Sequence, residues 1–246
     1  MGYPLHFPGE ATRLFTSELW LRRVAATAHW SPGARLLEVI GSTAGLYLAK
    51  EMLSPLTVAD ADPAGLKATE ERARAAGLSD RLTTKQVTFP SLPFAAGSFD
   101  GVLCLGRVPM SLETAAQSLR GLLAPRGRLV VTTVVQVGRQ PSAPALEAWK
   151  GRLGHTLLNP RESLMAVEKQ GFEPETIETL SGNELDEYYK DLELHVGKVP
   201  GEAGTWLKDE LALHKALGHR TGVSYAVVVA RRKEPGEKPP AARDGG

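Results

Sequence analysis

The 246-residue sequence predicts an α/β fold in which a mainly parallel sheet carries helices on both faces. Three observations lead to this prediction. Short apolar runs alternate along the chain with segments of helical periodicity. The first apolar run contains an acid and enters a turn of small residues, 41–45, before a helical segment. The length also suits one large core, so a second domain is not needed.

The elements of the first half follow from the apolar pattern and its flanking residues. About 15 residues rich in Pro and Gly come first, and Ser17 is then placed to cap a helix. The apolar face of that helix is formed by Leu21, Val24, Ala25 and Ala28. Strands are predicted at 35–39, 56–60, 82–89, 100–105 and 128–135, and helices at 43–53, 63–77 and 112–123. Asp62, Pro63 and Gly77 supply the cap, the first-turn proline and the end of the third helix.

The second half continues the alternation more loosely. Helices are predicted near 144–153, 161–170, 183–195 and 203–217, and strands near 174–180 and 223–230. We divide the chain into an N-terminal arm and helix (1–30), a core (31–180), a helical insertion or lid (181–220), a final strand (221–230) and a tail (231–246). The tail should be disordered because none of its apolar residues is larger than Ala or Pro.

Composition narrows the classes of partner. With 29 basic and 28 acidic side chains, the formal net charge is +1, so no global field attracts nucleic acid or an anionic membrane. No apolar run approaches the roughly 20 residues of a bilayer span. The one cysteine, Cys104, lies in an apolar strand and is expected to be a buried, inert thiol. We therefore expect a cytoplasmic protein that acts on small molecules.

A nucleoside site is predicted at the carboxyl ends of the first two strands. The second strand delivers Asp60 about 20 residues after Glu38, the spacing expected for an acid that faces a ribose. The helix after the small-residue turn also points its free N–H groups at whatever lies above it. The alternative, that residues 41–45 form only a tight strand-to-helix turn, remains open.

Three segments resemble the class I S-adenosylmethionine-dependent methyltransferases. Residues 92–100, Leu-Pro-Phe-Ala-Ala-Gly-Ser-Phe-Asp, resemble the "LPF…GSFD" loop of that family, in particular of its ubiquinone and menaquinone biosynthesis branch. Residues 122–129 and Gly171-Phe172 are similar to its "LLKPGG" turn and its "GF" pair. The resemblance spans residues 30–180. It implies a Rossmann-like, seven-stranded sheet whose last strand is antiparallel to the others.

The resemblance also implies S-adenosylmethionine as cofactor and methyl transfer to a small-molecule acceptor. Asp60 matches the acid that holds the ribose hydroxyls in the family, and Glu38 matches the acid before its glycines. The other predicted cofactor-binding residues are Gly41, Gly45, Ala61, Thr88, Phe89 and Leu105.

Two cofactor contacts depart from the family pattern. With Glu38 as the acid, the three glycine positions become Ile40, Ser42 and Ala44, and the acid that accepts from the adenine amino group becomes Thr88. A missing hydrogen bond costs about 1 kcal/mol and an overpacked side chain about 1–3 kcal/mol, which weakens binding without abolishing it. A backbone path through the neighbouring glycines would restore the fit.

The acceptor is expected over the carboxyl ends of the strands, near Arg107 and beneath the 181–220 insertion. Tyr188, Tyr189 and Trp206 are candidates to close its pocket, and His195 is the candidate base. For each aromatic residue the alternative is that it packs the insertion onto the sheet. Methyl transfer needs in-line placement and exclusion of water more than acid–base groups, so a missing catalytic triad is no objection.

Three functions therefore remain open. The chain is an active methyltransferase, an inactive methyltransferase-like protein that binds a ligand or a protein partner, or another α/β enzyme. No metal site is predicted, because Asp62 in the Asp60-Ala61-Asp62 sequence is better explained as a helix cap and the histidines are scattered. Neither a nucleophile elbow nor a phosphate-binding loop is present in the sequence.

Overall fold

The computed structural model describes residues 18–39, 44–105, 110–198, 201–218, 221–234 and 236–237. Its helices are α1 (Glu18–Thr27), α2 (Ala44–Glu51), α3 (Pro63–Ala75), α4 (Leu112–Arg120), α5 (Ala143–Leu153), α6 (Pro160–Lys169), α7 (Gly182–His195) and α8 (Gly201–Leu217). A 3₁₀ turn, Val196–Lys198, follows α7. The strands are β1 (Leu36–Val39), β2 (Leu56–Asp60), β3 (Leu82–Gln86), β4 (Phe99–Cys104), β5 (Leu123–Gln136), β6 (Phe172–Thr179) and β7 (Val223–Arg232).

The seven strands form one sheet in the order β3-β2-β1-β4-β5-β7-β6. The strands from β3 to β5 are parallel, whereas β7 is antiparallel to both β5 and β6. The Rossmann-like architecture and the reversed last strand are confirmed. The prediction of a mainly parallel sheet was wrong, because the two antiparallel ladders of β7 are about as long as the four parallel ladders together. The sheet is mixed.

The connection between β6 and β7 explains the reversal. Parallel strands require a crossover that returns the chain to the edge where the first strand began. Here α7 and α8 follow the carboxyl end of β6 in the chain. β7 then starts beside the carboxyl end of β5, where Val223 pairs with Gln136. The chain therefore re-enters the sheet from the edge it has just left, and β7 runs in the opposite direction.

Two strands, β5 and β7, are longer than predicted, whereas β3 ends at Gln86, three residues before its predicted end. β5 begins at Leu123, because Leu123 pairs with Phe99 before the turn at Arg126, which has a φ of 61°. β7 continues to Arg232, which pairs with Phe172. The side chain of Arg231 is held by ion pairs with carboxylates of β6 and of the following segment. The chain is thus ordered for several residues past the predicted strand end, and residues 238–246 lie outside the described part.

The predicted capping residues of α3 are confirmed, although the helix ends at Ala75, two residues before its predicted end. The side chain of Asp62 accepts a hydrogen bond from the N–H of Ala64 at 2.9 Å, and Pro63 occupies the first turn. Gly77 has a φ of 69°, and its N–H donates to the carbonyl of Arg74 while the next residue donates to Ala73. This pair of bonds closes the helix in a Schellman motif. The predicted Ser17 cap of α1 lies outside the described residues.

Side chains of the strands alternate between two cores, one on each face of the sheet. Leu36, Leu103 and Val130 belong to the core covered by α1, α2, α3, α5, α7 and α8. Leu37 and Val131 belong to the core covered by α4 and α6. Burial of both faces accounts for the nearly continuous apolar strands of the sequence. None of the helices in the described part of the chain has the length and hydropathy of a membrane span.

The "GSFD" segment closes the amino-terminal edge of the sheet. The carboxylate of Asp100 accepts from the backbone N–H of Arg35 at 2.9 Å and from its guanidinium at 2.8 and 3.1 Å. Gly101 lies against the ring of Trp30, because a Cβ there would stand 2.5 Å from the ring. The hydrogen bonds from Arg35 hold the pKa of Asp100 below its usual value. This segment therefore joins β4 to β1 at the edge opposite the predicted ligand site.

The "GF" pair, which connects α6 to β6, is explained by close packing against the end of α4. Gly171 has a φ of 82°, and a Cβ at this position would stand 2.6 Å from Nε of Arg120. Phe172 is fully buried in the core under α4 and α6. Glycine thus lets the backbone pass beneath the guanidinium before the aromatic side chain anchors the strand.

Replacement of Asp100 by Asn should lower the free energy of unfolding at pH 7 by about 1 kcal/mol or less, since the side chains of the pair are half-exposed, 50% for Arg35 and 39% for Asp100. The pKa of Asp100 is lower in the folded than in the unfolded chain. Its contribution is therefore complete above the unfolded pKa of about 3.9 and is lost as the pH falls through the folded pKa. Denaturant titrations at pH 7 and pH 3 measure this change.

The control is Asp80→Asn, at an exposed residue between α3 and β3. We expect the difference in free energy of unfolding between wild type and Asp100→Asn to be smaller at pH 3 than at pH 7. At pH 7 the free energy of unfolding of Asp80→Asn should stay close to that of wild type. A difference that is the same at both pH values would show that the carboxylate charge is not what stabilises this edge.

Candidate functional site

The carboxyl ends of β1, β2 and β4 bring three predicted cofactor residues to one edge of the sheet. β1 lies between β2 and β4, with Glu38 beside Val58 and Leu103 in the ladders. The direction in which strands are added reverses between β1 and β4. In open α/β sheets, ligands bind in the crevice that this reversal creates. Glu38, Asp60 and Leu105 lie on its borders, and all three are buried.

Glu38 joins β1 to the start of α2. Its side chain is fully buried, and Oε1 accepts a hydrogen bond from the N–H of Gly45 at 3.3 Å. The positive end of the helix stabilises the carboxylate. A Cβ at Gly45 would stand 2.6 Å from Oε2, so only glycine fits. The acid and the glycine are therefore a matched pair that holds α2 close to the sheet.

Asp60 is fixed at the end of β2. Its residue is 2% exposed, and Oδ1 accepts from the backbone N–H of Asp62 at 3.0 Å. Its carbonyl accepts from the N–H of Val87, which follows β3. Ala61 is held in the same turn because its carbonyl accepts from the side-chain amide of Gln86 at 3.3 Å. The backbone around this carboxylate is thus restrained from both β2 and β3.

Thr88 and Phe89 follow β3 and extend the same edge. Thr88 is exposed and forms an isolated bridge with Ser91. Phe89 is partly buried against the core under α4 and α6, which also contains Ala59 and Val87. Thr88 and Phe89 therefore lie just beyond the strand that neighbours Asp60, since β3 ends at Gln86 and not at residue 89 as predicted.

Two of the predicted site residues lie outside the described residues. They are Gly41 in the glycine motif and Arg107 after β4. Ile40, Ser42 and Thr43 of the same segment are outside as well. The described part of the motif is its acid, Glu38, and the first turn of α2.

A buried polar cluster, which the sequence analysis did not identify, joins the insertion to the sheet. Glu210 of α8 is fully buried, and its Oε1 accepts from the hydroxyls of Tyr188 at 3.1 Å and Tyr225 at 2.6 Å. Its Oε2 lies 3.6 Å from the guanidinium of Arg152 in α5. A signal was present, because Glu210 stands on the same helix face as Leu207 and Leu211.

The aromatic residues of the insertion contact one another and α5. Trp206 is covered by the guanidinium of Arg152, whose central carbon is 3.5 Å from the ring centroid. Tyr189 is stacked on His214 with 3.5 Å between centroids. Tyr188 and Tyr189 are both buried, and the hydroxyl of Tyr188 donates to Glu210. These contacts are the ones expected if the aromatic residues pack the insertion onto the rest of the chain. A role of Tyr188, Tyr189 and Trp206 in acceptor binding remains a proposal.

His195 lies at the end of α7. Its Nδ1 is 2.8 Å from the carbonyl of Asp191, one turn earlier, so Nδ1 carries the proton and donates. The carbonyl of Asp191 therefore fixes the ring at the helix terminus. No described contact brings it to Glu38 or Asp60, and its role as a base stays a prediction.

Cys104 is fully buried in β4, as the sequence predicted. Burial, together with the negative charge of Glu38, raises the pKa of its thiol to about 12. A thiol with this pKa holds almost no thiolate at neutral pH and does not act as a nucleophile. Elsewhere in the described ranges, no group of three His, Cys, Asp or Glu side chains has the arrangement of a metal site.

Comparisons with known proteins agree with this geometry. A family model described as a methyltransferase domain matches residues 39–131, from the end of β1 into β5. No curated protein matches the sequence. A candidate sarcosine dimethylglycine methyltransferase from Galdieria sulphuraria is 17% identical, with a TM-score of 0.69 over 87% of this chain and 84% of that one.

Two further solved structures have the same fold. A geranyl diphosphate C-methyltransferase from Streptomyces coelicolor, in complex with S-adenosyl-L-homocysteine, is 17% identical with a TM-score of 0.63 over 87% of this chain and 75% of that one. The 4+2 cyclase SpnF is 21% identical with a TM-score of 0.66 over 95% and 88%. The chain therefore has the Rossmann-like α/β fold of the methyltransferases. The cyclase illustrates that this fold alone does not specify the reaction.

The close contact between Glu38 and Gly45 predicts that a larger residue at position 45 lowers the free energy of unfolding. Gly45→Ala should lower the free energy of unfolding by about 1–3 kcal/mol, because the new Cβ would overlap Oε2 of Glu38 and the fully buried Glu38 side chain would have to shift. The matched control is Gly151→Ala, at an exposed position of α5 where a Cβ meets nothing within 4 Å. That change should stabilise the chain by about 0.5–1 kcal/mol. Urea titration measures both, and equal effects would contradict the predicted overlap.

Proposed function

We propose that the chain binds S-adenosylmethionine at the carboxyl edge of β1, β2 and β4 and transfers its methyl group to a small-molecule acceptor. The observation that carries this proposal is Asp60. It is a buried carboxylate at the end of β2, held by the N–H of Asp62 and next to the strand that carries Glu38. An acid at this position of a Rossmann-like fold is suited to the hydroxyls of a ribose.

The residues around Asp60 fit the remaining parts of the cofactor. Ala44 and Gly45 are buried and small, so the first turn of α2 can approach a ligand closely. Phe89 and Leu105 supply apolar surface on either side for the adenine ring. The hydroxyl of Thr88 can accept from the adenine amino group in place of the usual carboxylate, at a cost of about 1 kcal/mol or less.

The chemistry asks for positioning more than for acid–base catalysis. When bound, S-adenosylmethionine supplies a methyl group that is already activated by the positive sulfur. The chain's own residues then need to bind the nucleoside, align the acceptor with the methyl carbon and exclude water. The buried acids Glu38 and Asp60 serve the first task, and the insertion that contains α7 and α8 is placed for the last. In this proposal residues 31–180 bind the cofactor, and the insertion 181–220 covers the acceptor.

Comparisons support the reaction class and leave the acceptor open. The family model covers the proposed cofactor residues from α2 to Leu105. The similar structures include enzymes described as acting on sarcosine or on geranyl diphosphate, which differ widely as acceptors. The likeness to quinone-pathway enzymes rests on residues 92–100, whose Asp100 binds Arg35 at the opposite edge of the sheet. Those residues therefore give no information about the acceptor.

Asp60→Asn should weaken the binding of S-adenosylmethionine by roughly 1.5–3 kcal/mol, or about 10- to 150-fold. The amide keeps an oxygen for the N–H of Asp62 but replaces the charged acceptor offered to the ribose. Asp62→Asn is the matched control, since asparagine caps a helix as well as aspartate does. Isothermal titration with S-adenosylmethionine and S-adenosylhomocysteine measures the affinities of all three chains.

Thermal melting provides an independent test. At 100 times the dissociation constant, the cofactor should stabilise the folded chain by about 2.7 kcal/mol. If the folded chain shows neither heat of binding nor a shift in melting temperature at millimolar cofactor, the methyltransferase proposal is wrong and an inactive binding protein becomes the better interpretation. If wild type and Asp60→Asn bind equally well, Asp60 is not the ribose acid.

A further inference from the structure

The two outer strands of the sheet, β3 and β6, differ in how their outer edges are protected. β6 contains Pro174, which has no N–H, and a register shift between Pro174 and Thr176. Prolines and bulges of this kind keep an outer strand from pairing with another chain. β3 has neither, and its five residues, Leu82–Gln86, pair with β2 in one continuous register. The outer edge of β3 is therefore the one suited to receive another strand.

Every second residue of β3 directs its backbone groups away from the sheet. The carbonyl of Arg81 accepts from β2, and the N–H of Val87 donates to β2. Backbone groups of successive residues in a strand point in opposite directions, so residues 82, 84 and 86 face the outer edge. No strand in the described part of the chain pairs with that edge. Such a row of N–H and C=O groups is a template for a further strand.

The cations of β3 and its flank are held by neighbouring loops. The ammonium of Lys85 donates to the carbonyl of Pro93 at 3.1 Å and lies 5.0 Å from the ring centre of Phe94. The guanidinium of Arg81 donates to the carbonyl of Leu53 at 2.6 Å. A lysine that projects along an outer strand opposes pairing. Here both side chains already have contacts within their own chain.

An open groove with a volume of about 210 Å³ runs between the outer edge of β3 and α3. Its lining residues are Glu70, Ala73, Arg74, Ser79, Leu82 and Thr84. The hydroxyl of Thr84 donates to the carboxylate of Glu70 at 2.5 Å, so Glu70 stands level with Thr84. Arg74 lies one helical turn further along α3. A strand added beside β3 would lie along this groove and meet both charges.

Arg74 stands level with Leu82. α3 runs antiparallel to β3, because it carries the chain back from the end of β2 to the start of the parallel strand beside it. Four residues of helix advance about 6 Å and two residues of strand about 7 Å, so the step from Glu70 to Arg74 matches the step from Thr84 to Leu82. The two outward-facing residues thus have charges of opposite sign beside them.

We propose that β3 pairs with β3 of a second copy of this chain, antiparallel, about a two-fold axis at Thr83. In this register Leu82 of each copy lies opposite Thr84 of the other, and the two pairs form about four hydrogen bonds. Arg74 of each copy then faces Glu70 of the other. A two-fold axis at Thr84 would instead set Glu70 opposite itself, so charge complementarity selects the first register.

This pairing ends at two copies. A two-fold axis uses the same surface of both chains, and the outer strands of the joined sheet are then the two copies of β6. Those strands carry Pro174 and the register shift. The expected assembly is therefore a dimer and not a filament. It involves neither Glu38 nor Asp60, so it stands or fails independently of the proposed function.

Charge reversal tests the interface, with sedimentation equilibrium of the ligand-free chain as the measurement. Wild type should be a dimer that dissociates on dilution. Glu70→Arg and Arg74→Glu each place like charges together at two symmetric positions, so each should raise the dissociation constant by about tenfold or more. Glu71→Arg is the matched control, because it makes the same charge change at an exposed residue of α3 outside the groove. It should change the constant by less than about twofold.

Restoring the charge pairs should restore the dimer. An equimolar mixture of Glu70→Arg and Arg74→Glu brings two cations of one chain opposite two carboxylates of the other. The double variant carries both changes in every chain and again sets opposite charges face to face. Both samples should associate about as tightly as wild type.

Thr83→Cys tests the register. An axis at Thr83 makes its two copies a directly opposed pair with Cα atoms about 4.5 Å apart, within the range of a disulfide. Mild oxidation should therefore link Thr83→Cys chains into covalent dimers. Lys85→Cys is the control, since its two copies would be about 14 Å apart and should stay unlinked. The natural Cys104 is fully buried and does not interfere.

Two results would overturn the proposal. One is a wild-type chain that stays monomeric from micromolar to submillimolar concentration. The other is a dimer whose dissociation constant neither charge reversal changes, because the copies would then meet through a different surface. Circular dichroism checks that each variant is folded. If Glu70→Arg does not fold, because it also loses the hydrogen bond from Thr84, then Arg74→Glu and Thr83→Cys still decide.

Discussion

The placement of β1 between β2 and β4 is the constraint on which the rest of the structure depends. All four residues of β1 are buried, and their parallel pairing fixes where the neighbouring strands end. As a consequence, Glu38 and Asp60 reach the same edge, at the point where the order of strands reverses. The opposite edge is joined by Arg35 and Asp100. One edge is thus closed by an ion pair, while the other brings together two buried acids.

The two acids of the candidate site have different tasks, although the sequence presents them alike. Glu38 accepts from Gly45 and draws the amino end of α2 onto the sheet, which leaves space for nothing larger than glycine. Asp60 instead stabilises the turn between β2 and α3. A carboxylate that keeps its position through backbone contacts is already oriented before a ligand arrives, so binding costs less conformational entropy.

The insertion combines apolar packing with a buried ion pair. The packing contributes mainly to stability, and the ion pair mainly to the position of α8. Leu192 and Leu207 give the helices a stable apolar face. The pair between Arg152 and Glu210 contributes less net stability, because both charges lose their hydration, but it specifies where α8 stands relative to α5.

The sequence by itself determined the elements and their order, because apolar periodicity and capping residues such as Asp62 and Gly77 are local signals. It also identified Asp60, since an acid at the end of a second strand follows from chain order alone. Only the tertiary structure decided that the sheet is mixed, because the length of the antiparallel ladders of β7 depends on strands far apart in sequence. The same holds for the contacts of Glu210. This residue lies in α8, whereas its partners Arg152 and Tyr225 lie in α5 and β7, and only tertiary packing brings the three elements together.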